Sequence, residues 1–310
     1  MSFDFDAAVQ APFRMQPGLR RLAPGATQLT VSARDGRHLS EKLAVLGPHA
    51  ELALLQSPEF DPLPALSALA CQAAAEHPQA FSWDGSSAGA HLLGWQVRDG
   101  TCFALPGAAD PHPAVGQCLQ NLPPAWRLAG LLCLAFAEDF AVIDGHSAHI
   151  PWLAVALPSH WAPSDKVGRH FAQVHAPVAD NRQLLAASHA LASLVSAEQR
   201  WERFVWGISA QSHLNAHPAQ PKPPWQQGKV VAQACFRTER QTFIPVPKYR
   251  QAVFTILVDT QPLSDAIDSS HKAKRLHDAV ASMSPAVLQY RGLQEVREEL
   301  LSWLAQRATA

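Results

Sequence analysis

Residues 229–259, KVVAQACFRTERQTFIPVPKYRQAVFTILVD, contain the two strongest strand patterns of the chain. The first pattern, 229–243, alternates in part between apolar and polar side chains, so that Phe236 and Arg237 lie on opposite faces of a strand. The second pattern is 251–259. Because a segment containing prolines joins the two, we expect two strands of a mostly antiparallel sheet here.

Helical and strand patterns alternate on both sides of this segment. Residues 140–157 predict a hairpin with strands at 140–144 and 149–157, and 203–209 predicts a further strand. Glycines break 83–107 into short strands or loops. Apolar residues at three- and four-residue spacing, together with capping signals, predict helices at 40–53, 63–76, 113–122, 126–137, 164–173, 181–198, 269–282 and 293–306.

The order of these elements predicts the fold class. Residues 1–35 contain three prolines and predict an irregular arm on the surface. Helices follow, then antiparallel strands with inserted helices, and finally two C-terminal helices within 269–306. This order is typical of an α+β fold. We expect a single domain over residues 1–310.

Composition excludes several classes of protein. Hydrophobic residues make up 47% of the 310 residues and the net charge is −1, which excludes a disordered chain. The near-neutral charge gives no electrostatic reason to expect a nucleic acid or an anionic membrane as partner. The longest apolar stretch, 128–137, is too short to span a bilayer, and the N-terminus lacks a secretory signal pattern. We therefore expect a cytoplasmic protein.

Cysteine and glycine patterns exclude some cofactors within this chain. The five cysteines include no CxxC pair, so we expect them to be reduced and do not expect an iron–sulfur cluster here. Neither glycine-rich phosphate-binding motif is present. The chain is instead rich in histidine and tryptophan, with 15 and nine residues. Histidine is a common ligand of metals and of haem iron, and tryptophan lines apolar cofactor pockets.

Residues 138–178 bring together carboxylates, histidines, a tryptophan and cations. His175 lies just after a predicted helix and two residues before Pro177, which fixes its backbone. One interpretation is a haem-iron ligand, because iron needs only one such imidazole from the protein. The other is a helix-ending histidine that bonds a free carbonyl group. The residues alone do not decide between the two.

Several cations are candidates for binding a buried carboxylate, because Arg and Lys pair with such groups. They are Lys166, Arg169, Arg203, Arg237 and Arg240. On the strand that contains Arg237, the side chains of Glu239 and Gln241 share its face, whereas Arg240 lies opposite. For Glu239 we expect an internal ion pair with an arginine across the sheet.

Two further groups of residues were assessed for chemistry. Glu138 and Asp139 directly precede a strand and face opposite ways, so one of them can bind a substrate ammonium or accept a proton. His213 and His217 are spaced like zinc ligands, but no glutamate lies between them, so a zinc site of the HExxH type is not supported.

Six sequence motifs occur in an order that resembles the haem-dependent oxidative N-demethylase family. They are AEDFAVID (137–144), LPSHWAPSDKVGRHFAQVHAPV (157–178), RFVWGIS (203–209), FRTERQTFIPVP (236–247), AVFTILVD (252–259) and LQYRGL (288–293). The early segment PFRMQPGLRRLAP (12–24) fits as well. The resemblance covers most of the chain, from about residue 12 to 305.

The resemblance implies a PAS-like fold, with its core at 138–260, that holds haem b. It implies a monooxygenase subunit that uses O₂ to convert a small amine such as dimethylamine into methylamine and formaldehyde. Electrons are expected to come from NADPH through FMN and a [2Fe–2S] centre on partner reductase subunits.

The resemblance also implies roles for individual residues. His175 is the expected iron ligand, with His160 in reserve. Glu138 or Asp139 is expected on the side of the amine. The remaining expected haem-site residues are Trp161, Lys166, Arg169, Arg203, Trp206 and Arg240, with Phe140 also lining the pocket. One departure is Val205, where the motif usually has asparagine. If that amide contacts the substrate or the haem in the family, this chain is expected either to prefer another amine or not to demethylate at all.

Overall fold

The computed structural model describes residues 3–309 and has the expected α+β class. Its strands are β1 (Arg20–Arg21), β2 (Leu54–Gln56), β3 (Phe81–Trp83), β4 (Ser87–Ala90), β5 (Trp95–Arg98), β6 (Thr101–Ala104), β7 (Asp139–Asp144), β8 (Trp152–Ala154), β9 (Trp201–Ser209), β10 (Cys235–Val246) and β11 (Gln251–Pro262). They form two antiparallel sheets.

Helices of the described residues lie before, between and after the strands. They are α1 (Phe5–Ala8), α2 (Arg37–Leu46), α3 (Ala50–Ala53), α4 (Leu63–Glu76), α5 (Pro113–Asn121), α6 (Arg127–Ala135), α7 (Phe171–His175), α8 (Arg182–Ala186), α9 (Ser188–Val195), α10 (Val230–Gln233), α11 (Leu263–Ala266), α12 (Ser270–Ala281), α13 (Pro285–Tyr290) and α14 (Arg297–Thr309). Short 3₁₀ turns occupy Pro124–Trp126, Pro163–Asp165 and Pro247–Tyr249. Within residues 3–309, none of the helices is both long and apolar enough to cross a bilayer.

The main sheet has the strand order β1-β9-β10-β11-β7-β8-β2. Its centre is the hairpin of β10 and β11, which pair continuously from Cys235↔Pro262 to Val246↔Gln251. The expected start of the first strand at residue 229 is wrong, because residues 230–233 form the helical turn α10. The Glu299 carboxylate accepts hydrogen bonds from the amides of Gly228 and Val230, which stabilises this turn.

The smaller sheet, β3-β4-β5-β6, lies in the glycine-rich part of the sequence, where short strands or loops were expected. Its buried residues, such as Phe81 and Val97, belong to the same core as Phe140 and Trp152 of the main sheet. The two sheets are therefore joined by one continuous apolar core. The expected second strand of the 140–157 hairpin is present but shorter, as β8 covers only 152–154.

Three expected helices are interrupted. The helix expected at 40–53 is divided into α2 and α3, with residues 47–49 between them. The helix expected at 164–173 is wrong, because Gly168 has φ 71° and ends any helix after the 3₁₀ turn. The next helix, α7, starts at Phe171. The helix expected at 181–198 is divided into α8 and α9, where the Ser188 hydroxyl donates to the carbonyl groups of Leu184 and Leu185. Such local bonds compete with a continuous helix.

The two faces of the main sheet are covered differently. Helices α7–α9 pack on one face, through an apolar cluster that includes Ile143, Ala192 and Phe243; we call it the α7 face. The N-terminal arm, α4 and the C-terminal helices pack on the other, which we call the opposite face. Because side chains alternate along a strand, the odd-numbered residues of β9 and β10 lie on the α7 face.

Candidate functional site

Helix α7 is short, and its ends are fixed by side chains. At the N-terminus, His170 and Gln173 form a reciprocal capping box. At the C-terminus, the Lys166 ammonium donates to the carbonyl oxygen of Val174 at 2.9 Å. The Asn181 amide donates to the carbonyl oxygen of His175 at 3.0 Å. These bonds hold the last residue of α7, His175, in one position.

The His175 imidazole is arranged as a ligand that has one nitrogen free. Its Nδ1 lies 2.8 Å from the carbonyl oxygen of Phe171, and a carbonyl can only accept, so Nδ1 carries the proton. The lone pair is then on Nε2, which has no hydrogen-bond partner in the described part of the chain. Burial, with smaller contributions from Arg203 and Lys166, lowers the pKa of His175 to about 4. The imidazole is therefore neutral at physiological pH, as metal ligation requires.

An accessible strip lies on the α7 face of β9 and β10. It consists of Arg203, Val205, Gly207 and Ser209 of β9 with Glu239 of β10, all of which are partly exposed. The alternate residues of β9, such as Glu202 and Trp206, are buried on the opposite face. A Cβ atom placed on Gly207 would meet no heavy atom within 4 Å. We call these five residues the open strip.

Three buried polar atoms in or beside the open strip have no hydrogen-bond partner within residues 3–309. They are Nε1 of Trp201, Nε of Arg203 and Oε1 of Gln241. Trp201 and Arg203 are two residues apart on the same face of β9, so their donors serve one region. Two unpaired N–H donors, one of which belongs to a charged guanidinium group, are suited to bind a carboxylate. Arg203 was a candidate from the sequence, whereas Trp201 was missed, although its spacing from Arg203 was visible.

Other expected haem-site residues lie on the same side of the sheet. Trp161 is partly buried and packs, like Val174 of α7, against the cluster that contains Ala141 and Leu153. Lys166 binds the end of α7, as described above. His160 is exposed and has φ 65°, and Arg169 is also exposed.

Arg240 and Trp206 lie on the opposite face, away from the open strip. Arg240 forms a buried ion pair with Glu202 at 2.9 Å, and the Trp206 indole donates to the carbonyl oxygen of Ala8. Phe140 is fully buried in the core on this side as well. The larger of two described cavities, about 420 Å³, also opens here, between Phe3, Phe204 and Arg240. The structure thus separates these residues from His175.

Glu138 and Asp139 are both 1% exposed and bind residues of the core. One oxygen of Glu138 accepts a hydrogen bond from the Thr30 amide, and the other has no partner in the described chain. Asp139 accepts from the Leu157 amide at 2.6 Å and lies 3.2 Å from the Lys42 ammonium. Their hydrogen bonds and ion pair are made with these residues and not with α7 or the open strip.

Glu138 gives the stability of the protein a pH dependence. Burial raises its pKa to about 7, from an ordinary 4.5. The folded state then binds this proton more tightly than the unfolded state. The stabilisation of the folded state by this tighter proton binding is complete below about pH 4.5 and is lost as the pH rises through about 7. We expect Glu138→Gln to become more stable relative to the wild type by about 2–3 kcal/mol between pH 4.5 and 8.

Urea unfolding at both pH values measures this difference. Glu51→Gln, which removes an exposed carboxylate, is the control and should follow the wild type at both. If the free energy of unfolding changes equally between the two pH values in Glu138→Gln and in the wild type, the shifted pKa of Glu138 is contradicted.

Glu239 is not in the ion pair expected from the sequence. Within residues 3–309, no cation lies within 4.0 Å of its carboxylate. Arg237 instead donates to Ser159 and to the carbonyl groups of His213, Pro158 and Leu214. The Gln241 amide is the side chain that donates to Glu239. The expected ion pair between Glu239 and an arginine is wrong, because backbone carbonyl groups of distant loop residues accept the N–H donors of the Arg237 guanidinium.

These residues fit a haem better than a bare metal ion. Within the described residues, no three His, Cys, Asp or Glu side chains are grouped as metal ligands. Haem iron needs one imidazole, which His175 offers, and its propionates need cationic or N–H donors, which Arg203 and Trp201 offer. The fit rests on the free Nε2 atom and on the unpaired donors of Trp201 and Arg203.

A comparison with known protein families identifies the family to which this chain belongs. Residues 114–301, more than half of the chain, match the family described as "Haem-dependent oxidative N-demethylase, alpha subunit-like". The match begins in α5, ends in α14 and includes α7 together with β7 to β11. This chain therefore belongs to the family of proteins that are similar to the alpha subunit of haem-dependent oxidative N-demethylase.

Proposed function

We propose that this chain binds haem b through His175 and is the oxygenase subunit that removes a methyl group from a small amine such as dimethylamine. The observation that carries the proposal is the His175 imidazole, whose Nδ1 is fixed by a carbonyl and whose Nε2 is free and unprotonated. Family membership supports haem dependence and oxidative N-demethylation. A PAS-like core at 138–260 within a single domain is part of the same proposal.

The open strip is the place where this chain offers room for the macrocycle. The cavity beside Arg203 and Phe171 measures only about 20 Å³, which is room for about one water molecule. In contrast, Val205 and Gly207 are partly exposed next to the donors of Trp201 and Arg203. We infer that His175 ligates the iron, that Trp201 and Arg203 bind a propionate, and that Val205 contacts the ring.

The haem, when bound, supplies the activation of O₂. The overall reaction consumes dimethylamine, O₂, two electrons and two protons, and it yields methylamine, formaldehyde and water. The residues of this chain hold the components for that reaction. The carbonyl oxygen of Phe171 orients the imidazole by accepting a hydrogen bond from Nδ1–H, and Lys166 fixes the helix end that carries it. With haem bound, the apolar side chain of Val205 would line the pocket and would offer water no hydrogen-bonding group there.

We propose that the two electrons come from partner reductase subunits that carry FMN and a [2Fe–2S] centre. The family is described by its similarity to an alpha subunit, which supports an assembly of several subunits. The five cysteines are spread from Cys71 to Cys235, and none of them forms a disulfide in the structure.

The experiment is reconstitution of the purified chain with hemin, followed by ultraviolet–visible spectroscopy. We expect a Soret band at one haem per chain. With dimethylamine, O₂ and photoreduced flavin as electron donor, we expect methylamine and formaldehyde in equal amounts. A chain that takes up no haem contradicts the whole proposal. A stable Soret band without formaldehyde contradicts demethylation and favours a haem sensor or redox protein.

A further inference from the structure

Glu239 is a carboxylate on the α7 face that has no cation within 4.0 Å among residues 3–309. The paired strands place it directly opposite Val205 of β9, and it is partly exposed, whereas its β10 neighbours Thr238 and Arg240 are buried. The side chain of Val205 has no hydrogen-bonding group, so it cannot bind Glu239. The Gln241 amide binds one oxygen of the Glu239 carboxylate, and the rest of this carboxylate faces the open strip.

Two arginines flank Glu239 on the same face, but each is engaged elsewhere. Arg237 is held by Ser159 and by backbone carbonyl groups, as described above. Arg203 donates to the carbonyl oxygen of Pro17 and offers its free Nε to the region assigned to a propionate. A propionate bound there takes the positive charge of Arg203. Arg237 still acts on Glu239 through its charge, but its N–H donors are used by Ser159 and by carbonyl groups, so the Glu239 carboxylate keeps an accepting oxygen for a second ligand in the open strip.

Glu239 and His175 also share a neighbourhood. Arg203 interacts electrostatically with both groups. Burial lowers the pKa of Arg203 and the Glu239 carboxylate acts against this, while the pKa of His175 is lowered mainly by burial and further by Arg203.

We propose that Glu239 binds the ammonium group of the substrate amine, so that its carboxylate selects protonated small alkylamines for this site. The inference rests on the proposed function, because it places the amine in the same open strip as the haem. A secondary ammonium has two N–H donors, and the free part of the Glu239 carboxylate accepts them in a charge-assisted bond. Glu138 and Asp139 have no such free and accessible carboxylate.

The test is calorimetric titration of dimethylamine hydrochloride into haem-loaded protein, with the Soret band recorded on the same samples. In Glu239→Gln, which keeps the size of the side chain and an acceptor for Gln241, we expect the dissociation constant to rise roughly 10- to 100-fold. We expect the Soret band and the haem content to be unchanged. Glu239→Asp keeps the charge and should recover part of the affinity. Glu51→Gln, an exposed carboxylate on α3, makes the same change of charge and should bind like the wild type.

Each outcome bears on one assignment. Equal affinity of Glu239→Gln and the wild type, with the Soret band intact, overturns the role of Glu239 and leaves haem binding standing. Weakened amine binding in Glu239→Gln supports that role even where no formaldehyde is released, a result that would contradict only the demethylation. A wild-type chain without haem uptake or amine binding overturns the inference together with the proposed function.

Discussion

Replacing His175 with alanine is expected to abolish stable haem binding, with the retained haem reduced at least tenfold and the Soret band lost or shifted. The physical reason is the free Nε2 atom, which the Phe171 carbonyl and the caps of α7 hold in place. Because the pKa of His175 is about 4, its imidazole does not compete for a proton at neutral pH. Haem binding by the wild type should therefore be constant between about pH 8 and 5, whereas an ordinary histidine would lose affinity below its pKa of about 6.5.

His160→Ala is the matched control, because His160 is the other candidate ligand and lies on an exposed loop. We expect this variant to keep the wild-type spectrum. His175→Gly should regain a ligated spectrum when imidazole is added, since the free ligand occupies the space of the missing side chain. If His160→Ala loses the Soret band while His175→Ala retains it, the iron ligand is His160 and the proposed orientation of the site is wrong.

The sequence predicts those elements whose patterns are local. Helix α4 was predicted with its observed bounds, because its apolar spacing runs without interruption from Leu63 to Glu76. The β10–β11 hairpin was predicted except for its first turn. The failures occur where a single residue changes the backbone. Gly168 adopts a positive φ and Ser188 bonds back to the preceding turn, and neither effect is visible in a periodic pattern.

The site was only partly accessible from sequence for a different reason. Alternation along a strand tells which residues share a face, but not which face meets α7. Arg203 and Trp206 were both expected at the haem, although their odd spacing places them on opposite faces. Trp201 and Glu239 share the face of Arg203. Within residues 3–309, Trp201 is identified by an indole N–H without a hydrogen-bond partner, and Glu239 by a carboxylate without a cation within 4.0 Å. Both are properties of the folded chain.

The same limit applies to Asp139, whose partner Lys42 is 97 positions earlier in the sequence. Both side chains are at most 1% exposed. The Lys42 ammonium also donates to the carbonyl groups of Phe136 and Glu138, at 3.0 and 2.5 Å. One buried cation therefore joins α2 to the start of β7. No local pattern predicts such a contact, and its loss is expected to have the largest effect on stability.

We expect Lys42→Met to lower the free energy of unfolding by about 3–5 kcal/mol, because it leaves the Asp139 carboxylate and two carbonyl groups buried without their cation. Urea unfolding of the variant and of the wild type measures this loss.

Two further variants separate the ion pair from a general effect of the substitution. Lys272→Met removes an exposed pair with Asp268 and should cost less than about 1 kcal/mol. In Lys42→Met/Asp139→Asn, the amide oxygen still accepts from the Leu157 amide and no charge is buried, so most of the stability should return. If Lys42→Met is as mild as Lys272→Met, the buried pair does not hold the fold together.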